Sequence, residues 1–355
     1  MKEYGQEYFY KIILDIKKKP RTWLITGVAG FVGSSLLEYL LNINQKVIGI
    51  DNFITGYKFN LENVKSSVIL KKWKNFKFIK GDICNLKDCE KVLYKVDHVL
   101  HQAALGSVPR SIQNPIKTHN QNVNGFVNIL VAAKNAGVKS FVYASSSSVY
   151  GDHKSLPKIE DRIGRLLSPY AATKFIDEIY SDVFFKVYNF KSVGLRYFNV
   201  FGKRQDPNGS YAAVIPKWIN LMIQNKKVKI NGDGRTSRDF CYVENVIKAN
   251  ILASLNKKKV KYSVYNIAAG KRTSLNQLFI LIKNYISSNY KKYSLKPIKL
   301  KFRDGDIRHS HANINRAINL LNYFPSHDIK QGIKTTIDWY ISALKKNVKP
   351  VKENL

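Results

Sequence analysis

Tyr170 and Lys174 are residues whose types and spacing could do chemistry. They stand four apart in Ser168-Pro169-Tyr170-Ala171-Ala172-Thr173-Lys174, and serine followed by proline is a good opening for a helix. Residues four apart share one helix face, so the lysine ammonium would lie beside the tyrosine hydroxyl. A tyrosine in water has a pKa near 10 and is a poor base at neutral pH, but a neighbouring positive charge favours the phenolate. The pair suits proton transfer, although the same spacing is also that of an ordinary solvated helix pair.

Four consecutive serines, Ser145 to Ser148, precede this helix. They follow the apolar run Ser140 to Ala144, which is predicted to be a strand, and parallel sheets bind ligands at the carboxyl ends of their strands. By itself the serine run is typical of a turn rich in local hydrogen bonds. Together with Tyr170 it offers hydroxyls that could contact a substrate or relay a proton. The sequence does not decide whether Ser146 or Ser147 faces the reacting hydroxyl.

The elements that must position these groups begin with the segment from Trp23 to Leu36. An apolar run enters a loop with glycines at 27, 30 and 33, and an apolar helical pattern leaves it, which indicates strand, tight turn and helix. Glycine lets main-chain N–H groups approach a ligand, and a helix N-terminus favours a pyrophosphate. The next strand, Val47 to Ile50, ends on Asp51, about 20 residues past the loop, where a carboxylate can hold a ribose diol. We therefore predict an NAD site that includes Gly27, Gly30, Phe31, Val32, Gly33 and Asp51.

Two further strands and a helix extend the predicted cofactor site. Phe76 to Ile83 is an alternating strand whose Asp82 could take the adenine amino group or cap the helix from Leu86 to Leu93. The strand from Asp97 to Ala104 ends in small residues that let the backbone pass close to a cofactor. The helix from Pro115 to Ala136 has interior asparagines, which are costly unless their amides have partners, so we expect them to bridge strand ends near the site. The added cofactor candidates are Asp82, Ile83, Gln102, Ala103, Ala104 and Asn122, whereas His98 and His101 are predicted to be packed strand residues.

The glycine loop, the serine run and the Tyr170 helix occur in this order, and over about residues 20 to 345 the sequence resembles an extended short-chain dehydrogenase/reductase. The resemblance implies an α/β fold with a doubly wound, mostly parallel Rossmann sheet and a smaller mixed α/β substrate domain. It implies NAD as cofactor and Tyr170, Lys174 and Ser146 as the catalytic residues. Lys174 would both favour the tyrosine phenolate and bond the nicotinamide ribose.

Later motifs resemble those of nucleotide-sugar epimerases. In Gly194-Leu195-Arg196-Tyr197-Phe198-Asn199-Val200-Phe201-Gly202, Tyr197 would lie towards the cofactor and Asn199 on a phosphate. Tyr211 to Lys217 resembles the segment that closes over uracil and phosphates, and Arg238 would be a fork for the diphosphate. In Arg303-Asp304-Gly305-Asp306 the arginine would bind phosphate and the last aspartate the uridine ribose. The substrate implied is a UDP-sugar bound by Ser107, Ser146, Ser147, Tyr170, Asn199, Ala213, Val214, Lys217, Arg238, Arg303, Asp306 and Ser310.

Ser310 bears on which sugar is bound. Alignment with the family's motif puts it where glucose-only epimerases tend to carry a bulky tyrosine beside the C2 substituent, and a serine leaves room for an acetamido group. The chain is most similar to bacterial UDP-N-acetylglucosamine 4-epimerases of surface-polysaccharide synthesis. The resemblance therefore implies reversible C4 epimerisation of a UDP-N-acetylhexosamine through a 4-keto intermediate, with NAD held tightly. No metal is expected, and His309 and His311, which flank the serine, are not expected to bind one.

Three alternatives stay open. A UDP-glucose or UDP-uronic acid 4-epimerase shares the chemistry, and Ser310 argues only mildly against it. A 4,6-dehydratase shares the fold but needs an acid beside the catalytic hydroxyl, usually in Thr-Asp-Glu, where this chain has Ser146-Ser147-Ser148. A catalytically silent nucleotide- or nucleic-acid-binding module would leave Tyr170, Lys174 and the serines unexplained.

Composition limits the class of protein, the compartment and the partners that can be expected. The 355 residues are 45% hydrophobic, which is typical of a globular chain with a sizeable core, and no apolar run is long enough for a transmembrane helix. The three cysteines form neither an even disulfide set nor a metal-spaced pair, which fits a reducing compartment, so a cytoplasmic protein is expected. The net charge of +34 comes from lysine clusters scattered over the chain, which is typical of a solvated surface. We expect no nucleic-acid or membrane partner.

The expected domains follow from these assignments. Residues 1–20 are too mixed for a signal peptide and are predicted to form an N-terminal helical extension beside the first strand. Residues 21–200, with about 236–268 returning to them, would form the NAD-binding domain. Residues 201–235 and 269–347 would form the UDP-sugar-binding domain. The helical stretches Val123 to Ala136 and Tyr170 to Val187 could pair with those of a second copy, so a homodimer is expected.

Overall fold

The computed structural model describes residues 2–208, 212–256, 264–302 and 307–345. The strands in these ranges are mostly short. They are β1 (Thr22–Thr26), β2 (Lys46–Asp51), β3 (Phe76–Lys80), β4 (His98–His101), β5 (Ser140–Ser146), β6 (Ser192–Tyr197), β7 (Val200–Phe201), β8 (Lys229–Asn231), β9 (Ser237–Arg238), β10 (Cys241–Tyr242), β11 (Val264–Ile267), β12 (Thr273–Ser274) and β13 (Ile298–Leu300).

Helices separate most of these strands. They are α1 (Lys2–Lys18), α2 (Phe31–Asn42), α3 (Lys58–Ser67), α4 (Leu70–Trp73), α5 (Leu86–Val92), α6 (Val108–Gln113), α7 (Pro115–His119), α8 (Gly125–Asn135), α9 (Pro169–Tyr188), α10 (Val214–Ile223), α11 (Val243–Leu255), α12 (Leu275–Asn289), α13 (Asn315–Leu321) and α14 (Ile329–Lys345). A π-helical turn (Asn120–Asn124) joins α7 to α8, and a 3₁₀ turn (Ser147–Tyr150) follows β5.

One sheet of seven strands organises the chain. Its order is β11-β6-β5-β4-β1-β2-β3, and all its neighbouring strands are parallel. The strand order runs outward in both directions from the boundary between β1 and β4. In such a sheet the binding crevice opens at the carboxyl ends of the strands, at the point where the order reverses. The predicted doubly wound α/β fold is confirmed.

The middle strands of the sheet are buried because helices cover both faces. Trp23, Leu24 and Ile25 of β1 are fully buried, which is the pattern of a parallel strand without a solvent face. His98 and His101 of β4 are also buried, and their Nδ1 atoms lie 2.8 Å from Ser140 Oγ and Thr26 Oγ1 respectively. The prediction that these histidines are packed strand residues is confirmed.

A second apolar core lies outside the large sheet. It is formed mainly by α10, α12 and α14, with Trp218, Ile219, Leu278, Ile282 and Ile337 as buried members. Three small strand pairs accompany it in the described residues: β7 with β10 and β8 with β13, which are parallel, and β9 with β12, which are antiparallel. The boundaries of the two expected domains stay a prediction.

The predicted helix from Pro115 to Ala136 is found as an unbroken helical stretch from Pro115 to Asn135, but its middle turn is π-helical rather than α-helical. Such a turn adds a residue, which changes the side chains that share a face. The site candidate Asn122 lies within this turn, and so does Gln121, which was not predicted as a site residue.

The strand that was expected to reach Ile83 ends at Lys80, so Asp82 lies in the loop beyond β3. The capping role considered for Asp82 is also wrong. Asn85 is the N-cap of α5, and its side chain accepts hydrogen bonds from the backbone N–H groups of Lys87 and Asp88. The Asp82 side chain therefore does not cap α5 and can accept hydrogen bonds from other groups.

The N-terminal extension is helical, as predicted. Ile13 and Ile16 of α1 are buried in the same core as Trp23, and the Gln45 side chain joins Ile16 O to Arg21 N and the Trp23 indole. The end of α1 is therefore fastened to the start of β1.

The long helix α9 keeps an apolar stripe on the surface. Ile179, Val183 and Val187 follow one another at intervals of four residues and are 47%, 42% and 65% exposed. At this spacing they lie on one face of the helix. The homodimer stays a prediction.

Candidate active site

The glycine loop between β1 and α2 is shaped by close backbone contacts. Gly27 has a φ of +68°, and a Cβ on it would lie 2.8 Å from Ala103 Cα. A Cβ on Gly33 would lie 2.1 Å from Gly27 O. A larger residue at 27 would push the loop away from the chain beyond β4, and one at 33 would push the start of α2 away from the loop, so glycine is required at both positions.

Asp51 ends β2 beside this loop. Its Oδ2 accepts a hydrogen bond from Ala29 N at 2.9 Å, and its Oδ1 accepts one from Phe53 N at 2.8 Å. Burial raises the pKa of this carboxyl group. Both oxygens are held in place by the backbone and each keeps a further lone pair, which suits them to accept hydrogen bonds from a diol.

A cavity of about 440 Å³ opens where the strand order of the large sheet reverses. Its walls come from the glycine loop, from the ends of β2 and β4, from the end of β5 and from α9. The predicted site residues that line it are Gly27, Gly30, Phe31, Val32, Gly33, Asp51, Ile83, Gln102, Ala103, Ala104, Ser146, Tyr170, Lys174 and Tyr197.

Ser146, Tyr170 and Lys174 meet in this cavity although a loop of more than 20 residues separates the serine from the tyrosine. Ser146 Oγ accepts hydrogen bonds from Ser148 N at 3.1 Å and from Ser148 Oγ at 3.0 Å. A hydroxyl has two lone pairs and one proton, so its own O–H is left to donate elsewhere. Ser147 is not part of the cavity wall, and the geometry favours Ser146 as the hydroxyl that faces a ligand.

Helix α9 presents Tyr170 and Lys174 because it is firmly capped and anchored. The Ser168 side chain accepts a hydrogen bond from Ala171 N, and Pro169 opens the first turn. One turn beyond the tyrosine, Lys174 Nζ donates to Asp177 Oδ2 at 3.1 Å, and the two side chains are 2% and 0% exposed. The lysine is therefore held by a buried ion pair.

A second buried ion pair fixes α9 to the sheet. Arg196 of β6 donates to both oxygens of Glu178, at 2.9 and 2.7 Å, in a bidentate arrangement. Ser145 Oγ donates to the same carboxylate at 2.5 Å. Because β5, β6 and α9 are joined at this point, the serine run and the tyrosine keep a fixed relative position.

The remaining cofactor candidates lie beside the cavity rather than in its wall. Asp82 accepts hydrogen bonds from Cys84 N and from the Asn52 amide, at 2.8 and 3.0 Å. Asn122 is 1% exposed, and its amide bonds both backbone groups of Leu105 and the Thr173 hydroxyl. The structure does not bring Asn122 to the cavity; its side chain fastens the chain beyond β4 to α9.

The predicted substrate residues fall into two further groups. Ser107 and Ala213 line a second cavity of about 600 Å³, which adjoins the first through Phe31, Leu105 and Gln205. Val214 and Lys217 lie in the first turn of α10, close to Ala213 in sequence but not in the wall of either cavity. Arg303 and Asp306 lie outside the described residues.

Arg238, Ser310 and Asn199 form the last group. Ser237 pairs with His309 in a parallel bridge, their side chains are 2.9 Å apart, and Ser310 N donates to Ser237 O at 3.0 Å. Because alternate residues of extended chains point to opposite faces, Arg238 and Ser310 share the other face of this ladder. The Asn199 amide donates to Asp239 O, which places Asn199 next to the ladder.

The sequence interpretation missed several cavity residues. Gln121 lines the first cavity from within the π-turn, while Thr55, Gly56 and Gln205 line it from loops. Gln121 was missed because an ordinary α-helix, without the π-turn, was expected there. Of these loop residues, Thr55 and Gly56 have a local sequence signal, which is that of a turn, and Gln205 has none.

The residues that line the cavity fit NAD in their chemistry. The first residues of α2, from Phe31 to Gly33, lie in its wall, so the N-terminal end of the helix faces the space that a pyrophosphate would fill. Asp51 lies further along the same wall, where a ribose would follow. Within the described residues no three histidine, cysteine, aspartate or glutamate side chains are grouped so as to hold a metal ion. No helix in the described part of the chain is both long and apolar enough to cross a membrane.

A doubly wound sheet, a glycine loop at its switch point and a serine, tyrosine and lysine in one cavity define a nucleotide-dependent enzyme of the α/β class. The model of the NAD-dependent epimerase/dehydratase family matches residues 23–268. The chain therefore belongs to the NAD-dependent epimerase/dehydratase family, and its cofactor is NAD.

Relatives of known name act on different sugars. A UDP-glucuronate 4-epimerase of Thermodesulfobacterium geofontis is 35% identical over 93% of this chain and 98% of the relative. The structure of a UDP-N-acetylglucosamine 4-epimerase from Methanobrevibacter ruminantium, in complex with UDP-N-acetylmuramic acid, has a TM-score of 0.82 at 37% identity, covering 91% of this chain and 99% of that one. A UDP-glucose 4-epimerase from Thermotoga maritima, solved with UDP-glucose, has a TM-score of 0.82 at 32% identity with the same coverage. Overall similarity therefore does not select one sugar.

Proposed function

We propose that this NAD-dependent UDP-sugar 4-epimerase acts on a UDP-N-acetylhexosamine and interconverts UDP-N-acetylglucosamine and UDP-N-acetylgalactosamine. The reaction inverts the hydroxyl at C4 of the sugar through a 4-ketose. The 4-epimerase reaction is supported by the family, by the relatives and by the cavity that holds Ser146, Tyr170 and Lys174. The choice of sugar depends on Ser310.

Ser310 is the observation that carries the choice of sugar. It shares one face of its ladder with Arg238, the residue proposed to bind the diphosphate, and it is half-buried there. A side chain as small as serine leaves room beside the sugar for an acetamido group, and its hydroxyl can bond that group. A UDP-glucose or UDP-uronic acid substrate is the alternative.

Tyr170 is the proposed base. Its phenolate would take the proton of the 4'-hydroxyl, and the ammonium of Lys174, four residues on along the same face, would favour that phenolate. Ser146 would donate its hydroxyl proton to the reacting oxygen or steady the proton in transit, because both of its lone pairs are engaged by Ser148. NAD, when bound, would supply the hydride-transfer chemistry at C4' of the sugar, as acceptor in the oxidation and as donor in the reduction of the 4-ketose.

The cofactor would lie along the first cavity. The N–H groups at the start of α2 would bind its pyrophosphate, Asp51 the adenosine ribose and Lys174 the nicotinamide ribose. Ile83, Gln102, Ala103, Ala104 and Tyr197 would line its path. The hydroxyl of Tyr197 accepts from the Asn250 amide and donates to Gln102, so this ring is fixed as part of the wall.

The UDP moiety would anchor the substrate at the residues around Arg238 and the start of α10. Arg238 would bind the diphosphate as a planar fork, with Asn199 beside it, and the start of α10 would approach the uracil. With the anchor on UDP, the hexose is free to turn over and present either face. Such rotation is required of any 4-epimerase that returns the hydride to the opposite side.

The test is to incubate the purified protein with UDP-N-acetylglucosamine, without added NAD, and to follow the anomeric and C4 signals by NMR. Parallel samples contain UDP-glucose and UDP-glucuronate. We expect UDP-N-acetylgalactosamine to form, and to form faster than UDP-galactose. Turnover without added NAD would show that the cofactor is retained and regenerated.

Other outcomes separate the parts of this proposal. If only UDP-glucose or UDP-glucuronate reacts, the inference from Ser310 is wrong and the epimerase chemistry stands. If no sugar reacts even with NAD supplied, the assignment of Tyr170 as the base loses its support.

A further inference from the structure

Asp177 is a buried carboxylate that the reaction as described does not use. It lies on α9 three residues after Lys174, and the two side chains form an ion pair of 3.1 Å from which solvent is excluded. Its Oδ2 accepts from the lysine, whereas its buried Oδ1 accepts no hydrogen bond within the described part of the chain. A carboxylate placed only to brace the fold would be expected to have both oxygens bonded, so Asp177 needs another explanation.

The partner of Asp177 gives that explanation. Lys174 is the cation that favours the phenolate of Tyr170, and an ammonium paired with a carboxylate presents little net charge to its surroundings. Both side chains are almost fully buried, so the interaction between the two charges is little screened. The charge that reaches the tyrosine therefore depends on whether Asp177 is a carboxylate or a neutral acid.

We propose that Asp177 is a positioning residue that holds the Lys174 ammonium and sets the positive charge it presents to Tyr170 and to the cofactor cavity. As a carboxylate it offsets the lysine, and as a neutral acid it leaves the full ammonium facing the site. Its protonation therefore increases the positive charge at the site as the pH falls. The effect on catalysis rests on the proposed function, whereas the effect on the cofactor cavity does not.

The surroundings make Asp177 the titrating member of this cluster near neutrality. Burial raises the pKa of its carboxyl group to about 7, although Lys174 opposes the rise. Burial and the nearby lysine lower the pKa of His101, on β4, to about 3, so the imidazole stays neutral. Burial raises the pKa of Tyr143, on β5, well above its usual value, and Arg196 of β6 is engaged by Glu178.

The experiment replaces the carboxylate with an amide of the same shape, Asp177→Asn, and compares pH profiles of kcat and kcat/KM for epimerisation from pH 5.5 to 8.5. The variant keeps the lysine charge uncompensated at every pH. We expect it to hold half-maximal activity down to a pH lower by about one unit than the wild type does. A profile that coincides with the wild type, or moves to higher pH, overturns the proposal.

The affinity of the cofactor-free protein for NAD, measured by calorimetry over the same pH range, gives a readout independent of turnover. We expect the wild-type affinity to change in a step near pH 7 and the variant to lack that step. If the wild type epimerises no UDP-sugar, the proposed function fails, and this NAD profile still decides the role of Asp177. Equal profiles in both proteins would overturn it.

A matched control is available on the same helix. Asp182 pairs with Lys186 four residues on, but the two side chains are 50% and 68% exposed. Asp182→Asn makes the same chemical change to an ion pair in water, so both profiles should follow the wild type. Should Asp177→Asn not fold, Asp177→Ser removes the same charge with a smaller side chain and is measured in its place.

Discussion

The cofactor cavity and the ladder of Arg238 and Ser310 are built in different ways. The cavity lies at the ends of buried, parallel strands of one sheet, and much of its wall follows directly from those strand ends. The ladder consists of the two-residue strand β9 and a single bridge from Ser237 to His309, about 70 residues later in the chain. The proposed chemistry is thus placed on the large sheet, and the proposed choice of sugar on a part with few backbone pairs.

The comparison predicts that changes in the cavity abolish the reaction, whereas changes on the ladder alter which sugar reacts. The most direct test of this comparison is a substitution of Tyr170, the proposed base.

Tyr170→Phe removes the hydroxyl and leaves the ring in place. We expect epimerisation to fall by about three orders of magnitude, because general base catalysis contributes this much. Retention of NAD should be little changed. The measurement is turnover by NMR together with the NAD content of the purified protein. Tyr180→Phe, on the exposed part of the same helix, is the control and should be fully active. A Tyr170 variant within tenfold of the wild type would contradict the assignment.

Gly27→Ala tests the glycine loop. Gly27 and Gly137 have nearly the same φ, +68° and +62°, but of the two only Gly27 would bring a Cβ against other atoms. Both substitutions should cost about 1 kcal/mol of unfolding free energy through the backbone alone. Gly27→Ala should in addition displace the loop and reduce retained NAD by tenfold or more.

The measurements are thermal unfolding and the NAD released on denaturation. Gly137→Ala is the control, because its Cβ would enter open space. If both variants retain the same amount of NAD, close packing of the loop against Ala103 does not matter for the cofactor.

Ser310→Tyr should have the smallest effect on total activity and a clear effect on selectivity. We expect turnover of UDP-N-acetylglucosamine to fall about tenfold relative to UDP-glucose, because the ring would fill the space proposed for the acetamido group. Ser310→Ala keeps the room and removes only the hydroxyl, so a much smaller change is expected. Both ratios come from the same NMR assay. An unchanged ratio in the tyrosine variant would remove the ladder from the choice of sugar.

Particular residues show how much of the fold and of the site could be predicted from the sequence. The fold class, the glycine turn, the helix of Tyr170 and the burial of His98 and His101 follow from local patterns and are found in the structure. The π-turn inside the predicted helix was not predicted, because no residue type in Asn120–Asn124 by itself marks a change from α-helical to π-helical hydrogen bonding. The positions of Asp82 and Asn122 beside the cavity, and of Gln121 in its wall, depend on that turn and on the early end of β3.

The sequence by itself determined that a glycine loop follows the first strand, that Asp51 ends the second and that Tyr170 and Lys174 share a helix face. These are short-range relations, set by the geometry of strand, turn and helix. Only the tertiary structure decided that Ser146 rather than Ser147 lines the cavity and that Asp177 is sealed from water against Lys174. Burial and the choice of partner are set by elements far away in the chain, which pack over a residue whatever its neighbours in sequence are.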